Sequence, residues 1–315
     1  MPSIYRMNML GAKVESTAGT SVYGSMDETD TLFHVFDVSV STDIPFTRRT
    51  LQGSLSNIAS VHGARGRSVS FSLHCYGLGS AGLPIWAETF LPSCGLKEVT
   101  ASFEYIPSSL QSDHESLSLV VYQDGKAVKL RGCRGNINFQ LSHGQPIIAQ
   151  FTYTGVYDGE VDVATPSSQT WPLIVPPRVA SGTFTLGSYT PIISSMNINT
   201  NNVVELRPTI ANDDAYISAL IVDRSLSGTC DPEDTLVATN DFYAQLRGHT
   251  EQALSIAIGS VQYNKILITA PKFQYNTIVE NQRNGMNALS STFSLNADLA
   301  NGSDNEIAIS FPQSA

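Results

Sequence analysis

Along much of this chain apolar and polar residues alternate one by one. Val69, Phe71, Leu73 and Cys75 are interleaved with Ser68, Ser70, Ser72 and His74, and because successive strand side chains point to opposite faces, this predicts a strand with one apolar face. The same alternation runs through Ile137/Phe139/Leu141, Ile147/Ala149/Phe151/Tyr153, Leu254/Ile256/Ile258, Phe293/Leu295/Ala297 and Ile307/Ile309/Phe311. Antiparallel sheets follow, since parallel sheets covered on both faces run as unbroken apolar segments. Gln123-Asp124-Gly125-Lys126 predicts a hairpin, because Asp-Gly tolerates the positive φ of a type I′ turn; Gln262-Tyr263-Asn264-Lys265 is expected to play the same part through its Asn.

Two short helices interrupt the strands. The first is expected to start with Pro84 at N1, to set Ile85, Trp86, Thr89 and Phe90 on one face, and to stop at Pro92 with Gly95 beyond. The second is expected to be capped by Asn240, to gather Phe242, Tyr243 and Leu246, and to end at Gly248. Their aromatics read as core packing rather than a ligand box.

The order strand, long polar loop, strand, helix, strand pair, closing strands runs through residues 33–155 and again through 192–311. Asn138-Phe139-Gln140-Leu141 echoes Lys272-Phe273-Gln274-Tyr275, and Phe151-Thr152-Tyr153-Thr154 echoes Phe293-Ser294-Leu295-Asn296. Uneven spacing between the copies is absorbed by extra stretches around Leu96–Glu115 and Asn276–Asn287, where loops tolerate insertion. The expected fold class is all-β with minor α: two tandem β-sandwich or barrel domains, each with one short flanking helix. Their expected bounds are 1–157 and 183–315, with a linker at 158–182 that carries Pro166, Pro172, Pro176 and Pro177. A duplicated β-rich unit without a catalytic centre points to assembly.

Composition sharpens this picture. Charged residues make up 15% of the 315, well under the ~25% usual for soluble domains, so the polar faces are built from Ser, Thr, Asn and Gly. The net charge of −10 argues against a general nucleic-acid binder, which needs a basic footprint. The start, Met1 to Leu10, lacks a charged region followed by a sustained apolar one, so no signal peptide is expected, and no apolar run is long enough to span a membrane. Cys75, Cys94, Cys133 and Cys230 are widely spaced and read as buried reduced thiols, not a metal site. Asn301-Gly302-Ser303 fits a glycosylation acceptor, which is idle without secretion.

Sharper chemical readings fall away on inspection. Gly77-Leu78-Gly79-Ser80-Ala81-Gly82 matches G-x-G-x-x-G before a helix, but the helix is cut by Pro92 and the strands alternate, so a turn is favoured over a dinucleotide site. Asp113-His114-Glu115 cannot all face one ion from a strand, so a solvated loop is expected there. No catalytic residues, cofactor or metal are expected, and the chain reads as no enzyme.

One segment invites a functional reading. Ile44 to Arg67 is rich in Ser, Gly and Asn, carries Arg48, Arg49, Arg65, Arg67 and His62, and holds no acid. It reads as a long loop that is either a mobile solvated segment or an arm. As an arm it would dock its arginines and its apolar Leu51, Leu55, Ile58 and Val61 on an adjacent subunit. Candidate acidic partners are Asp213, Asp214, Asp231, Glu233 and Asp234.

The segment Gly11 to Thr20, the Pro84–Gly95 helix, the strand pair around Asp124-Gly125-Lys126 and the run Leu130 to Gly135 resemble tail tube proteins of long-tailed, non-contractile bacteriophages of the siphovirus type. The resemblance is one of pattern and order over essentially the whole chain. It implies a structural virion protein, made and assembled in the host cytoplasm, whose six tube-like domains close a ring that stacks into a hollow conduit for DNA ejection. With two such domains per chain, the ring would be a homotrimer with pseudo-hexameric symmetry. The implied partners are further copies of itself, a tape-measure protein in the lumen, terminator and baseplate proteins at the ends, and DNA in transit, with no membrane. In that family the corresponding long loop joins successive rings. A baseplate hub, a tail terminator and a carbohydrate-binding adhesin are the alternatives to a tube protein.

Overall fold

The computed structural model describes residues 8–26, 32–166, 173–180 and 182–313. The first seven residues of the stretch read for a leader, and Pro172 of the linker, lie outside the described residues. The alternating segments are antiparallel strands throughout. In the first part of the chain they are β1 (Asn8–Val14), β2 (Leu32–Phe33), β3 (Phe36–Asp43), β4 (Phe46–Thr50), β5 (Asn57–His62) and β6 (Gly66–His74), then, after helix α1 (Ile85–Ser93), β7 (Leu96–Val99), β8 (Glu104–Pro107), β9 (Leu117–Gln123), β10 (Lys126–Ser142) and β11 (Ile148–Asp162). The second part holds β12 (Thr183–Leu186), β13 (Ser195–Asn199), β14 (Val203–Pro208), β15 (Tyr216–Asp223) and β16 (Ser227–Cys230), then helix α2 (Phe242–Arg247), β17 (Gln252–Ile258), β18 (Ile266–Arg283), β19 (Met286–Asn296) and β20 (Ala308–Ser310).

Strand order repeats between the two parts. In the first array it runs β3-β6-β11-β10-β9-β1, with β2 beyond β1; in the second it runs β13-β16-β19-β18-β17-β12. Each array carries a hairpin in the connection between the first two strands of that order, β4–β5 between β3 and β6 in one and β14–β15 between β13 and β16 in the other. The arrays are fused: β13 pairs with β10, and β20 links β18 to β8. The resulting sheet is open among the described residues, so the barrel form of the expected fold is not adopted.

Bulges fix which residues correspond. Leu119 faces Leu130 and Leu117 faces Cys133 across one bulge, and Leu254 faces Ala270 and Gln252 faces Phe273 across the other. Tyr153 sits between Gly135 and Val69 as Phe293 sits between Tyr275 and Gly228. The sequence echo therefore joins matching strands out of register: Phe273 corresponds to Cys133, not to Phe139. Asn276–Asn287 is then no inserted loop but the distal part of the β18–β19 hairpin. The extra stretch at Leu96–Glu115 holds the β7–β8 hairpin, which has no counterpart in the second array.

The helices close the core much as their aromatics suggest. Phe90 packs its ring 4.6 Å from Phe33 and 5.2 Å from both Phe71 and Phe151, contacts worth about 0.5–1.5 kcal/mol per pair beyond area burial. Trp86 is buried with its indole N–H on Tyr76 O at 2.9 Å, whereas Ile85 turns outward. Pro84 is the N-cap rather than N1, and Pro92 lies inside the last turn. In α2 the cap is Asp241, one residue after the expected Asn240, because its carboxylate accepts from Ala244 N at 2.7 Å. Asp124 and Gly125 take the positive φ of the expected turn. At the other end, Tyr263 rather than Asn264 has positive φ, freeing the Asn264 side chain to accept from Gly77 N and to donate to Val175 O, both at 2.9 Å.

Candidate assembly surface

The two rim hairpins have the same place in their arrays and opposite surroundings. From Phe46 to His62, the residues expected to form a structureless loop form the β4–β5 hairpin, and every residue of its two strands is exposed. Phe46 is 67% exposed and Leu55, at the tip, fully so; Leu51, Ile58 and Val61 are exposed as well. Arg48 holds Asn57 Oδ1 across the hairpin at 2.6 and 2.9 Å, and Arg49 points to solvent. Nothing in the described chain covers this hairpin's apolar residues, a pattern that marks an interaction surface more than a folded core.

The β14–β15 hairpin instead lies across the first array. Ser218, Ala219 and Ile221 are buried there. Arg134, itself buried, donates to Ala219 O and to His114 O, each at 2.7 Å, and the Gln111 side chain donates to Ile221 O at 2.7 Å. Two glycines admit the hairpin: a Cβ on Gly132 would stand 2.8 Å from Ser218 Cα, and one on Gly66 would stand 3.0 Å from Leu206 Cδ1. At the tip, Arg131 meets Asp214 at 2.9 Å and Arg65 donates its backbone N–H to Asp214 O at 3.0 Å. Beneath lies the buried Glu15 carboxylate, which accepts from Gly19 N, Gly132 N, Ser116 Oγ and Ser118 Oγ at 2.7–2.8 Å, the full satisfaction a buried charge requires.

The structure places the sequence-derived residues unequally. Arg48, Arg49, Leu51, Leu55 and Ile58 are on the exposed hairpin. Arg65 stands at its base and faces Asp214 of the same chain. Arg67 is not on the arm: it is buried at the start of β6, bonded to Glu160 and to Thr42 Oγ1, with its guanidinium 4.2 Å from the Tyr157 ring. Among the acids, Asp231 and Glu233 hold Arg283 at 3.1 and 2.7 Å, while Asp213 and Asp234 are exposed. Burial works to raise the Asp231 pKa, but bonds from Ser194, Ser195 and Arg283 outweigh it and lower the value. Sequence reasoning missed the second hairpin; two strands of apolar residues flanking Asn212-Asp213-Asp214 were the available signal.

The remaining motifs are spent on packing. Gly77, Gly79 and Gly82 donate to Asn264, Tyr263 and Gln313, so the glycine-rich turn staples the arrays together instead of cradling phosphate. Asp113 is bonded to Lys97 and Ser108, and His114 is buried. All four cysteines are free and buried, and burial pushes Cys94 and Cys230 up to about 12. No cluster of metal-ligating side chains occurs among the described residues, and none of their helices is long and apolar enough to cross a membrane. The family model described as phage tail tube protein matches residues 8–315. No curated protein matches the chain.

Proposed function

Because the chain belongs to the phage tail tube protein family, whose members are structural and not enzymatic, we propose that three copies close a ring in which each chain fills two of six equivalent places. The rings then stack into the hollow tail tube of a non-contractile phage, the conduit for DNA ejection. The observation that carries this is the repeated strand order with one array already docked on the other: β13 on β10 and the β14–β15 hairpin across β10 and β11. A rotation that carries the first array onto the second, applied again, places the next chain, and heterologous contacts of this kind close into rings.

In this reading 1–157 and 183–315 are the two tube-like units and 158–182 joins them, although 158–162 still belong to β11, paired with β10, so that the connection proper begins after Asp162. The exposed hairpin reaches the adjacent subunit. The lumen takes a tape-measure protein first and DNA later, and terminator and baseplate proteins cover the ends. The net charge of −10 suits a conduit, since negative walls repel phosphates and let DNA slide. Assembly takes place in the host cytoplasm. Electron microscopy of the purified protein tests the reading: hollow rods with three chains per ring are expected, and rings of six chains would show that the second array does not take a ring position.

A further inference from the structure

Counting from the matched pairs Val69/Gly228 and Tyr153/Phe293, Gly66 corresponds to Ser225, Arg65 to Arg224, and Thr154–Tyr157 to Ser294–Ala297. In the first array this patch is the place where Leu206 of the β14–β15 hairpin lies over Gly66. In the second array the same patch is an open groove of ≈ 280 Å³, lined by Arg224, Ser225, Leu226, Ser294–Ala297 and Glu306. One wall is Glu306, whose Oε1 meets Arg224 at 3.0 Å while its buried Oε2 has no hydrogen-bond partner. A buried carboxylate oxygen left without a donor is costly, so the groove lacks an apolar filler and a donor for Glu306 Oε2, although Arg224 already holds Oε1.

The exposed hairpin carries both. The count from Val69/Gly228 takes His62 to Ile221; His62 faces Phe46 and Ile221 faces Val204, which matches Phe46 to Val204 and so Arg48 to Leu206, the residue that fills the counterpart site. We propose that the β4–β5 hairpin of a second copy of this chain docks laterally in the groove between Ser225 and Ser294–Ala297, with Arg48 on Glu306. This rests on the ring reading above and specifies its chain-to-chain junction. The charges of the hairpins sort them. Residues 203–223 hold four acids and one base, and residues 46–62 hold two arginines and no acid. The acidic hairpin lies by Arg65 and Arg131, and the basic one fits the side of Asp304 and Glu306, two acids that share the single cation Arg224. An exchanged docking would set like charges together in both places, which discriminates by repulsion as much as by attraction.

The test is disulfide trapping, with the four buried native thiols silent. Chains bearing only Arg48→Cys are mixed with chains bearing only Ser225→Cys, assembled and oxidised; a band of two linked chains is expected from the mixture and from neither chain alone. In the double variant, linkage should stop at three chains, because lateral docking closes on itself. A ladder continuing past three would place the hairpin between successive rings and overturn the proposal. The pair Ala59→Cys and Lys272→Cys, counterparts of Ser218 and Gly132, gives the second measurement where the first pair blocks assembly. Rods that form normally with no linkage in either pair would overturn the docking while leaving the tube intact; wild-type protein that forms no rods would sink the ring reading itself.

Discussion

Gly132→Ala reports directly on the docked hairpin. Gly132 has φ 60° and its N–H is bonded to Glu15 Oε1 at 2.7 Å; an added Cβ would meet Ser218 Cα and Cβ at 2.8 Å and Gly19 Cα at 3.2 Å. Two costs combine. A left-handed conformation costs a non-glycine residue about 1–2 kcal/mol. Overpacking against backbone, which cannot swing aside as a side-chain tip can, adds about 1–3 kcal/mol. Gly125→Ala isolates the first cost, since Gly125 also has positive φ (98°) but meets nothing within 4 Å. The expected result in urea unfolding is therefore a larger loss for Gly132→Ala than for Gly125→Ala, by about 1–3 kcal/mol. Limited proteolysis should cut near Asp213 sooner in the Gly132 variant alone, because a lifted hairpin exposes its tip. Equal losses and equal cleavage would show that the hairpin is not seated on Gly132.

Arg48→Ser with Arg49→Ser should leave subunit stability within about 0.5 kcal/mol, as for exposed positions without buried partners, yet slow rod formation seen by light scattering, as added salt should do to the wild type; unchanged kinetics would remove the electrostatic role. Arg67→Ser belongs to a different class, and should cost about 2–3 kcal/mol in unfolding experiments by breaking its bonds to Glu160 and Thr42 and its contact with Tyr157. At low pH, Asp231 and Asp304 should both lose their contribution: burial works to raise each, but their hydrogen bonds outweigh it, so both folded pKa values lie below the usual 3.8. The unfolded chain then binds more protons, so this stability is in place above pH 3.8 and is lost as pH falls through the folded values. Urea midpoints at pH 5 and pH 3 should differ, with Asp304→Asn reducing the difference; identical slopes for wild type and variant would contradict the assignment.

Strand alternation was legible because one face of nearly every strand is buried, which ties side-chain parity to sequence. Phe71, Phe139, Ile256 and Phe293 accordingly fall in the core. Register was not legible, because matched strands can be slid by an even number of residues without changing parity. The Asn-Phe-Gln-Leu echo exploited that freedom, and only the bulges at Leu130/Cys133 and Ala270/Phe273 remove it. Arg67 shows a second limit: a basic residue at the end of a basic segment looks like its neighbours, and only the start of β6 beside Glu160 reveals that it is structural. The segment of the exposed hairpin was singled out by its lack of acids, a local property, but as a loop and not as the strand pair β4–β5. The groove proposed for it was hidden because Ser225, Ser294 and Glu306 are far apart in sequence and meet only through the fold.

In the proposed ring of three, duplication changes what assembly costs. When two ring positions share a chain, the junction between them forms inside one molecule, where the partner is always present at high effective concentration and no translational freedom is lost. A ring of three then needs three intermolecular junctions instead of six. The same covalent link creates a hazard, because each chain offers two similar hairpins and two similar beds for them. If the hairpins were interchangeable, a β4–β5 hairpin could displace β14–β15 from its own array, and chains could pair in closed tangles that never complete a ring. In that assembly the acidic character of one hairpin and the basic character of the other would separate the two junctions at long range, before close packing is tested. The apolar contacts of Leu206 and of Phe46 can then remain similar in kind, with charge deciding which bed each hairpin enters.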